Sequence, residues 1–531
     1  MIEPVYTSYR LCLMKPEHIL VQGPVSRGES VRTRLAQLAW REGISAFVTN
    51  NVPFSFSSGR LLAGGLAHLI DALAEHDDVT VMELGAGIGY LSAFSLDALR
   101  DRFPEAYERS TFLVSDGEPS LVEAAESRGV LRDHRERSQF TIADLRDASC
   151  IVSHQPRLLI LSYLLDAIPP VHVAKSEGVM ETARVATYVP EDCSVFDGRS
   201  WPPVLMRAED IALVLQDEEN VSPPLGRKLV SLLVEEWSWV EEQGLTSGST
   251  LLNSRRQTIH DLCRILGQMP EESGIAITDF GYVDSCAMDL SEMMTEYGLC
   301  AFWAVAFDEI VEVADRHGFE TYLHRGDEGQ THTLVIYSGS RGNRFLDAFV
   351  SGFEGMVPDR PGCILYNLEE DATLADIYEA IDRIEQTISN EEINLYGNLS
   401  RFAHLLLQFG DLEGAAAFSE RCIERYPEVA APEMAILGSV KGKKQELGAA
   451  EVLFKRAVEL APGLATPHLG LAGVCKAREE WESYFEHVKA YLATANCDVP
   501  EAMAQIAATL NETQLWEPAD QANRWLEEYG T

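Results

Sequence analysis

Between residues 79 and 337, short apolar runs alternate with stretches whose apolar positions recur every three or four residues. Residues 79–84, 111–115, 140–142, 158–162, 274–279 and 333–337 have the length and the continuous apolar character of strands covered on both faces. Helical patterns at 60–75, 90–100 and 307–317 stand among them. Strands separated by helices predict an α/β domain with a parallel or mostly parallel sheet between two helical layers. Residues 200–265 break the rhythm with longer helical patterns at 229–243 and 254–266, which predict a helical insertion capping the substrate side of the sheet. Past Tyr337 the texture changes. Strand signals fade beyond Leu365, and amphipathic helices fill the chain from Leu374 to Tyr529. The Gly- and Pro-dotted stretch 338–360 marks the junction. The predicted organisation is an N-terminal helical region on the substrate side (1–78), an α/β domain (79–340), a linker (341–374) and an all-α domain (375–531).

The helical half contains a repeat. Ala415, Cys422 and Pro427 recur as Ala450, Ala457 and Pro462, a shift of 35 residues. Leu437 and Gly438 fall on the first helix of that unit, Ala450, Phe454 and Ala457 on the second, and Pro462 after it. Small residues at these places let two antiparallel helices approach, and proline ends the second. The unit resembles the tetratricopeptide repeat, whose period is about 34 residues. A degenerate third unit follows around Leu471 and Ala472.

Composition narrows the function classes. The chain has 531 residues, 46% hydrophobic and 24% charged, enough for several globular cores. No apolar run has the length of a membrane span, and Met1 to Pro16 lacks the layout of a secretory signal. Ten cysteines run from Cys12 to Cys497 without a C-x-x-C pair or zinc-ligand spacing, which predicts reduced thiols, a cytoplasmic protein and no metal. A balance of 43 basic against 83 acidic residues gives −40, a surface that repels nucleic acid. It either attracts a basic partner or serves solubility alone.

The most informative stretch is Val79-Thr-Val-Met-Glu-Leu-Gly-Ala-Gly-Ile-Gly-Tyr90. A strand ends at Glu83, and Gly85, Gly87 and Gly89 turn the chain into a helix where a ligand must lie against bare backbone. The E-x-G-x-G-x-G spacing departs from the dinucleotide fingerprint G-x-G-x-x-G. Asp116 ends the next strand, where a carboxylate accepts from both ribose hydroxyls, and Asp144 follows the third, at the adenine amino group. These residues resemble class I S-adenosylmethionine (SAM)-dependent methyltransferases, with a Rossmann-like sheet and SAM as cofactor. Glu83, Gly85, Gly87, Gly89, Asp116 and Asp144 are the candidate cofactor-binding residues.

Past the fourth strand the chain reads Leu158-Leu-Ile-Leu-Ser-Tyr-Leu-Leu-Asp166-Ala-Ile-Pro169-Pro-Val-His172. This is similar to the A-N-E-F-x-D-A-L-P-V signature of the MidA-like family, the methyltransferases related to the mitochondrial complex I assembly factor. Three more stretches resemble the family's pattern in chain order: Glu118-Pro119-Ser-Leu121 before it, and Ile275-Ala-Ile-Thr-Asp279-Phe-Gly281-Tyr282 and Phe307 to Ala314 followed by His317-Gly318-Phe319 after it. The resemblance covers roughly residues 50–340. It implies methylation of a protein arginine at an ω-nitrogen, on a peptide or protein that the repeats recognise. A guanidinium stays protonated near pH 7, so such an enzyme pairs the cation with carboxylates and accepts the departing proton. Asp166 and Asp279 are the strand-end acids placed for that, and Tyr163 and His172 are candidate bases. The signature's Asn-Glu is Ser162-Tyr163 here, which removes one carboxylate from the expected clamp. Two other readings stay open: a small-molecule N- or O-methyltransferase whose repeats form a homodimer or recruit a partner, and a SAM-binding assembly scaffold without turnover.

Overall fold

The computed structural model describes residues 17–529 except 51, 53–58, 76, 177–178, 199, 217–220, 242–250, 255, 285–293, 327–330, 340–341, 355–372, 388–395 and 496. The first elements are strand β1 (His18–Val25), helices α1 (Val31–Trp40), α2 (Ser45–Thr49) and α3 (Arg60–Leu73), strand β2 (Val79–Leu84) and helix α4 (Tyr90–Arg102). Strand β3 (Ser110–Asp116), helix α5 (Pro119–Arg128), β4 (Ser138–Ile142) and β5 (Leu158–Ser162) follow. Then come β6 (Val171–Ser176), β7 (Val179–Pro190), β8 (Val234–Glu241), β9 (Leu251–Ser254), β10 (Ser273–Tyr282), β11 (Val305–Ala306), β12 (Glu320–His324) and β13 (Thr331–Ser338).

The central sheet runs β12-β13-β10-β5-β2-β3-β4, with β11 added to the end of β10. Strands β10, β5, β2, β3 and β4 are parallel, and β13 inserts antiparallel beside β10. This is a Rossmann-like sheet. Its strands are apolar on both faces because helices cover both: Val81, Leu158, Ile160 and Val335 pack under α3 and α4, while Met82, Leu159, Ile275 and Leu334 face the opposite layer. The strand order reverses at β2, which lies between β3 and β5. A crevice therefore opens at the carboxyl ends of β2 and β5.

Residues 229–243 do not form the expected helix. A helix closes at Val230, and Val234–Glu241 pairs antiparallel with β7 along its whole length, from Val234 opposite Tyr188 to Glu241 opposite Glu181. Two tryptophans and two valines gain more on a pleated surface than in a helix; Gln243 lies outside the described residues. Strands β8 and β9 of the expected insertion thus join an antiparallel sheet, β1-β7-β6-β9 with β8 on β7, and its first strand comes from the N-terminal region expected to be helical. The second expected helix starts at Arg256, after β9. Residues 1–16 and 355–372 fall outside the described residues. Part of the expected linker is helix Gly342–Phe353, which packs Phe345 and Phe349 into the core beneath α3. A β-carbon at Gly352 would lie 2.7 Å from the Gly65 carbonyl oxygen, so the two helices cross backbone to backbone.

Beyond helix Leu374–Thr387 the chain forms four antiparallel helix pairs. Their first helices start at Tyr396, Ala431, Ala465 and Val499, separated by 35, 34 and 34 residues. Gly438 and Gly470 both abut the Phe454 ring, so the second and third pairs nest where any side chain would hold them apart. The array packs directly on the sheet domain. Ile44, Val48, Tyr90 and Leu121 share one apolar cluster with Leu399, Phe402, Tyr426, Val429 and Met434. The Tyr90 hydroxyl donates to the Glu428 carboxylate, and Arg128 donates to the Glu428 carbonyl. At the far end Trp525 Nε1 donates to the Pro203 carbonyl, with Phe196 against its ring. No helix among the described residues is long and apolar enough to cross a membrane.

Candidate functional site

The glycine turn joins β2 to α4. Gly85, Gly87 and Gly89 have φ of +69°, +52° and +84°, the left-handed region that glycine alone enters without strain. Their positions are also crowded. A β-carbon at Gly85 would lie 2.8 Å from Leu164 Cδ1, and one at Gly87 3.0 Å from Phe47 Cζ. The turn is tied to β3 by the Ala86 N–H, which donates to the Ser115 carbonyl at 2.9 Å.

At the end of β3, Asp116 accepts from Gly87 N at 3.2 Å through one oxygen and from Glu118 N at 3.0 Å through the other. Burial pushes its carboxyl above the ordinary value, against the pull of those amides. Asp144 Oδ2 lies 3.8 Å from the place of a β-carbon on Gly117, so the acids after β3 and β4 share one rim of the crevice. Arg146 already grips Asp144, with Nε 2.9 and 3.0 Å from the two oxygens and its backbone N at 2.8 Å from one; this holds the carboxyl below its usual range. The three glycines, a carboxylate at the next strand end and a third acid alongside fit an adenosyl donor: bare backbone for its amino-acid end and carboxylates for its sugar and base.

Glu83 is buried beneath the turn and accepts from the Ser92 hydroxyl on α4. Burial lifts its carboxyl from 4.5 to about 7. A raised carboxyl pKa means the folded state holds the proton more tightly than the unfolded chain. This contribution is full below pH 4.5 and declines as pH rises through 7. Glu83→Gln is expected to flatten that decline, gaining on the parent by up to roughly 3 kcal/mol between pH 5 and 7.5. Urea midpoints across that range measure it; parallel pH profiles for the two proteins would refute it. Ser92 carries no sequence signal, being one serine in a mostly apolar helix.

The exit of β5 forms the opposite wall. Tyr163 has φ +51°, donates its N–H to the Thr278 carbonyl at 2.8 Å, and sets its hydroxyl 2.7 Å from Thr331 Oγ1. Asp166 N donates to Asp279 Oδ2 at 3.1 Å, and Phe280 N donates to Asp279 Oδ1 at 2.9 Å. Asp166 and Asp279 are 2% and 1% exposed. Leu164, between Tyr163 and Asp166, is the residue that abuts Gly85, which sets the exit of β5 against the glycine turn. Asp166 caps no helix: residues 163–170 form a turn. His172 stands apart, on β6 of the antiparallel sheet, its buried ring 4.9 Å from Trp237.

Sequence reading misses His332, which pairs with Asp279 across β10 and β13. Its Nδ1 accepts from Gly326 N at 3.0 Å and its Nε2 donates to the Gly281 carbonyl at 3.1 Å, which fixes the neutral tautomer. Within Thr331–Ser338 it reads as one more core position. No group of three or more metal-ligating side chains occurs among the described residues.

Residues 61–269 match a family described as "Putative S-adenosyl-L-methionine-dependent methyltransferase". Two solved structures are similar to the chain. An O-methyltransferase family protein from Burkholderia thailandensis is 12% identical with a TM-score of 0.31, over 60% of this chain and 65% of that one. A second Burkholderia thailandensis protein, crystallised with S-adenosyl-homocysteine, is 14% identical with a TM-score of 0.35, over 63% and 90%. The chain thus spans slightly under two thirds of the first. At these scores neither likeness bears on the acceptor. No curated protein matches this chain. The family match and the chemistry of the crevice agree on S-adenosyl-L-methionine as the cofactor.

Proposed function

We propose that this SAM-dependent methyltransferase acts on a protein or peptide side chain, an arginine guanidinium nitrogen above all, with the helical array recognising the substrate as a tetratricopeptide-like module. The observation that carries the reading is the two buried acids at the exit of β5, Asp166 and Asp279, joined by the Asp166 backbone amide that donates to the Asp279 carboxylate. The donor supplies a methyl group on a sulfonium. Asp166 and Asp279 then pair with the guanidinium, which orients one nitrogen, and a carboxylate accepts the proton that leaves. Asp116 would hold the ribose of the bound donor and Asp144 its adenine. Tyr163, fixed on Thr331, bounds the acceptor side. The net charge of −40 favours approach of a cationic segment, and the spacing of the four helix pairs supplies a surface for it.

A small-molecule acceptor is the second reading. It is favoured by the backbone amides of Asp166 and Phe280, which already occupy both oxygens of Asp279, and by Ser162-Tyr163 standing where the family signature has Asn-Glu.

The test is to incubate the whole chain with methyl-labelled SAM and a cell lysate. Acid- and base-stable label in protein, recovered as methylarginine, is expected. Asp166→Asn should lower that labelling at least tenfold while leaving S-adenosylhomocysteine affinity within twofold, as removal of one charge-assisted contact to the acceptor requires. Label confined to small molecules would replace this reading with the second.

A further inference from the structure

We propose that Phe47 is the aromatic wall of the donor crevice and that the C-terminal helical array holds it there. The inference rests on placing the donor at the glycine turn. The first group that a side chain leaving Gly87 would meet is the Phe47 ring, 3.0 Å from the β-carbon at Cζ and 3.4 Å at Cε2, so this ring borders the glycine turn.

Helix α2, which carries Phe47, is only five residues long and is braced from every side. Trp40 sets its ring edge-on to Phe47 at 5.3 Å. Ser45 Oγ donates to the Glu42 carbonyl at 2.6 Å. Asn50, fully buried, donates to Ala46 O at 2.9 Å and accepts from Leu299 N at 3.0 Å. Ile44 and Val48 enter the apolar cluster formed with the first two helix pairs of the array. The loop after the second pair closes the clamp: a β-carbon at Gly463 would lie 2.6 Å from Glu42 Oε1 and 2.8 Å from Thr49 Cγ2. A five-residue helix has no stability of its own, so the position of Phe47 depends on what packs around it, and the array supplies one side of that packing. An aromatic face also suits a sulfonium, whose charge it attracts, whereas the thioether product carries no such charge.

Calorimetric titration of the whole chain with SAM and with S-adenosylhomocysteine tests this without any acceptor. Phe47→Ala is expected to weaken S-adenosylhomocysteine by about tenfold and SAM by more, the excess being the lost cation–π attraction. Phe47→Leu, which keeps the packing, should restore most of the first loss and little of the second. In the array, Gly463→Val pushes on Thr49 and should weaken both ligands several-fold, but add nothing in the Phe47→Ala background, because both changes act through one ring. Affinities within twofold of the parent for Phe47→Ala would remove the wall, and additive losses in the double variant would remove the array from it. If neither ligand binds competitively with the other, or if Gly87→Arg leaves both affinities intact, the placement of the donor fails instead.

Discussion

Gly87→Arg is expected to abolish SAM binding, with affinity down at least a hundredfold. Two independent penalties meet at this position. At φ +52° any L-residue pays roughly 1–2 kcal/mol for the left-handed conformation. Its β-carbon would also press on the Phe47 ring, leaving the rest of the side chain no course except through the crevice. A guanidinium there repels the sulfonium as well. Since the turn is held by Ala86 N and Asp116 from the neighbouring strand, the sheet itself should survive. Thermal unfolding should fall by only a few degrees while calorimetry with S-adenosylhomocysteine gives no heat. Normal affinity in this variant would mean that the donor lies elsewhere.

Gly281→Ala should do the reverse, damaging the fold first. A single β-carbon at Gly281 would be driven into the Val305 carbonyl and to 2.7 Å from its amide nitrogen. Gly281 pairs with Val305 in the β10–β11 ladder, and its own carbonyl accepts from His332. Neither neighbour can yield, since both are buried. The ladder must part, and Asp279, two residues earlier, loses the register that sets it against Asp166. The expected cost exceeds about 3 kcal/mol in urea unfolding, with methyl transfer lost even where protein remains folded. A midpoint unchanged within error would show that β11 is peripheral to the site.

These positions differ in how plainly the sequence announces them. Strands β2 and β5 coincide with their predicted limits because both faces are covered, so the apolar run and the strand are the same object. The glycines are equally legible: three left-handed positions in five residues favour glycine, and Asp116 falls where the following strand must end. The antiparallel sheet was not legible. Leu229, Leu233, Trp237 and Val240 recur every three or four residues and so mimic a helix face, and among the described residues β1 pairs with β7, more than 150 residues downstream. Phe47 gave no signal either. It belongs to one helical turn, and its importance comes from what Gly87 and the distant helix pairs place on either side of it. In the helical half, Ala415 and Ala450, Gly438 and Ala472 made three units traceable; the fourth pair keeps Ala519 at the place of Ala450 but has Gln505-Ile506 where Leu437-Gly438 stand.

The seating of the array on α2, α4 and α5 bears on how the chain is made. Ile44, Val48, Tyr90 and Leu121 emerge from the ribosome hundreds of residues before Phe402, Tyr426 and Met434, which cover them. During that interval the nascent chain displays a greasy face beside a half-built nucleotide crevice, a state in which collapse onto other chains competes with waiting. The crevice is therefore completed only once the helices from Tyr396 to Leu460 have been made and have folded back, and chaperone demand is greatest just before they do.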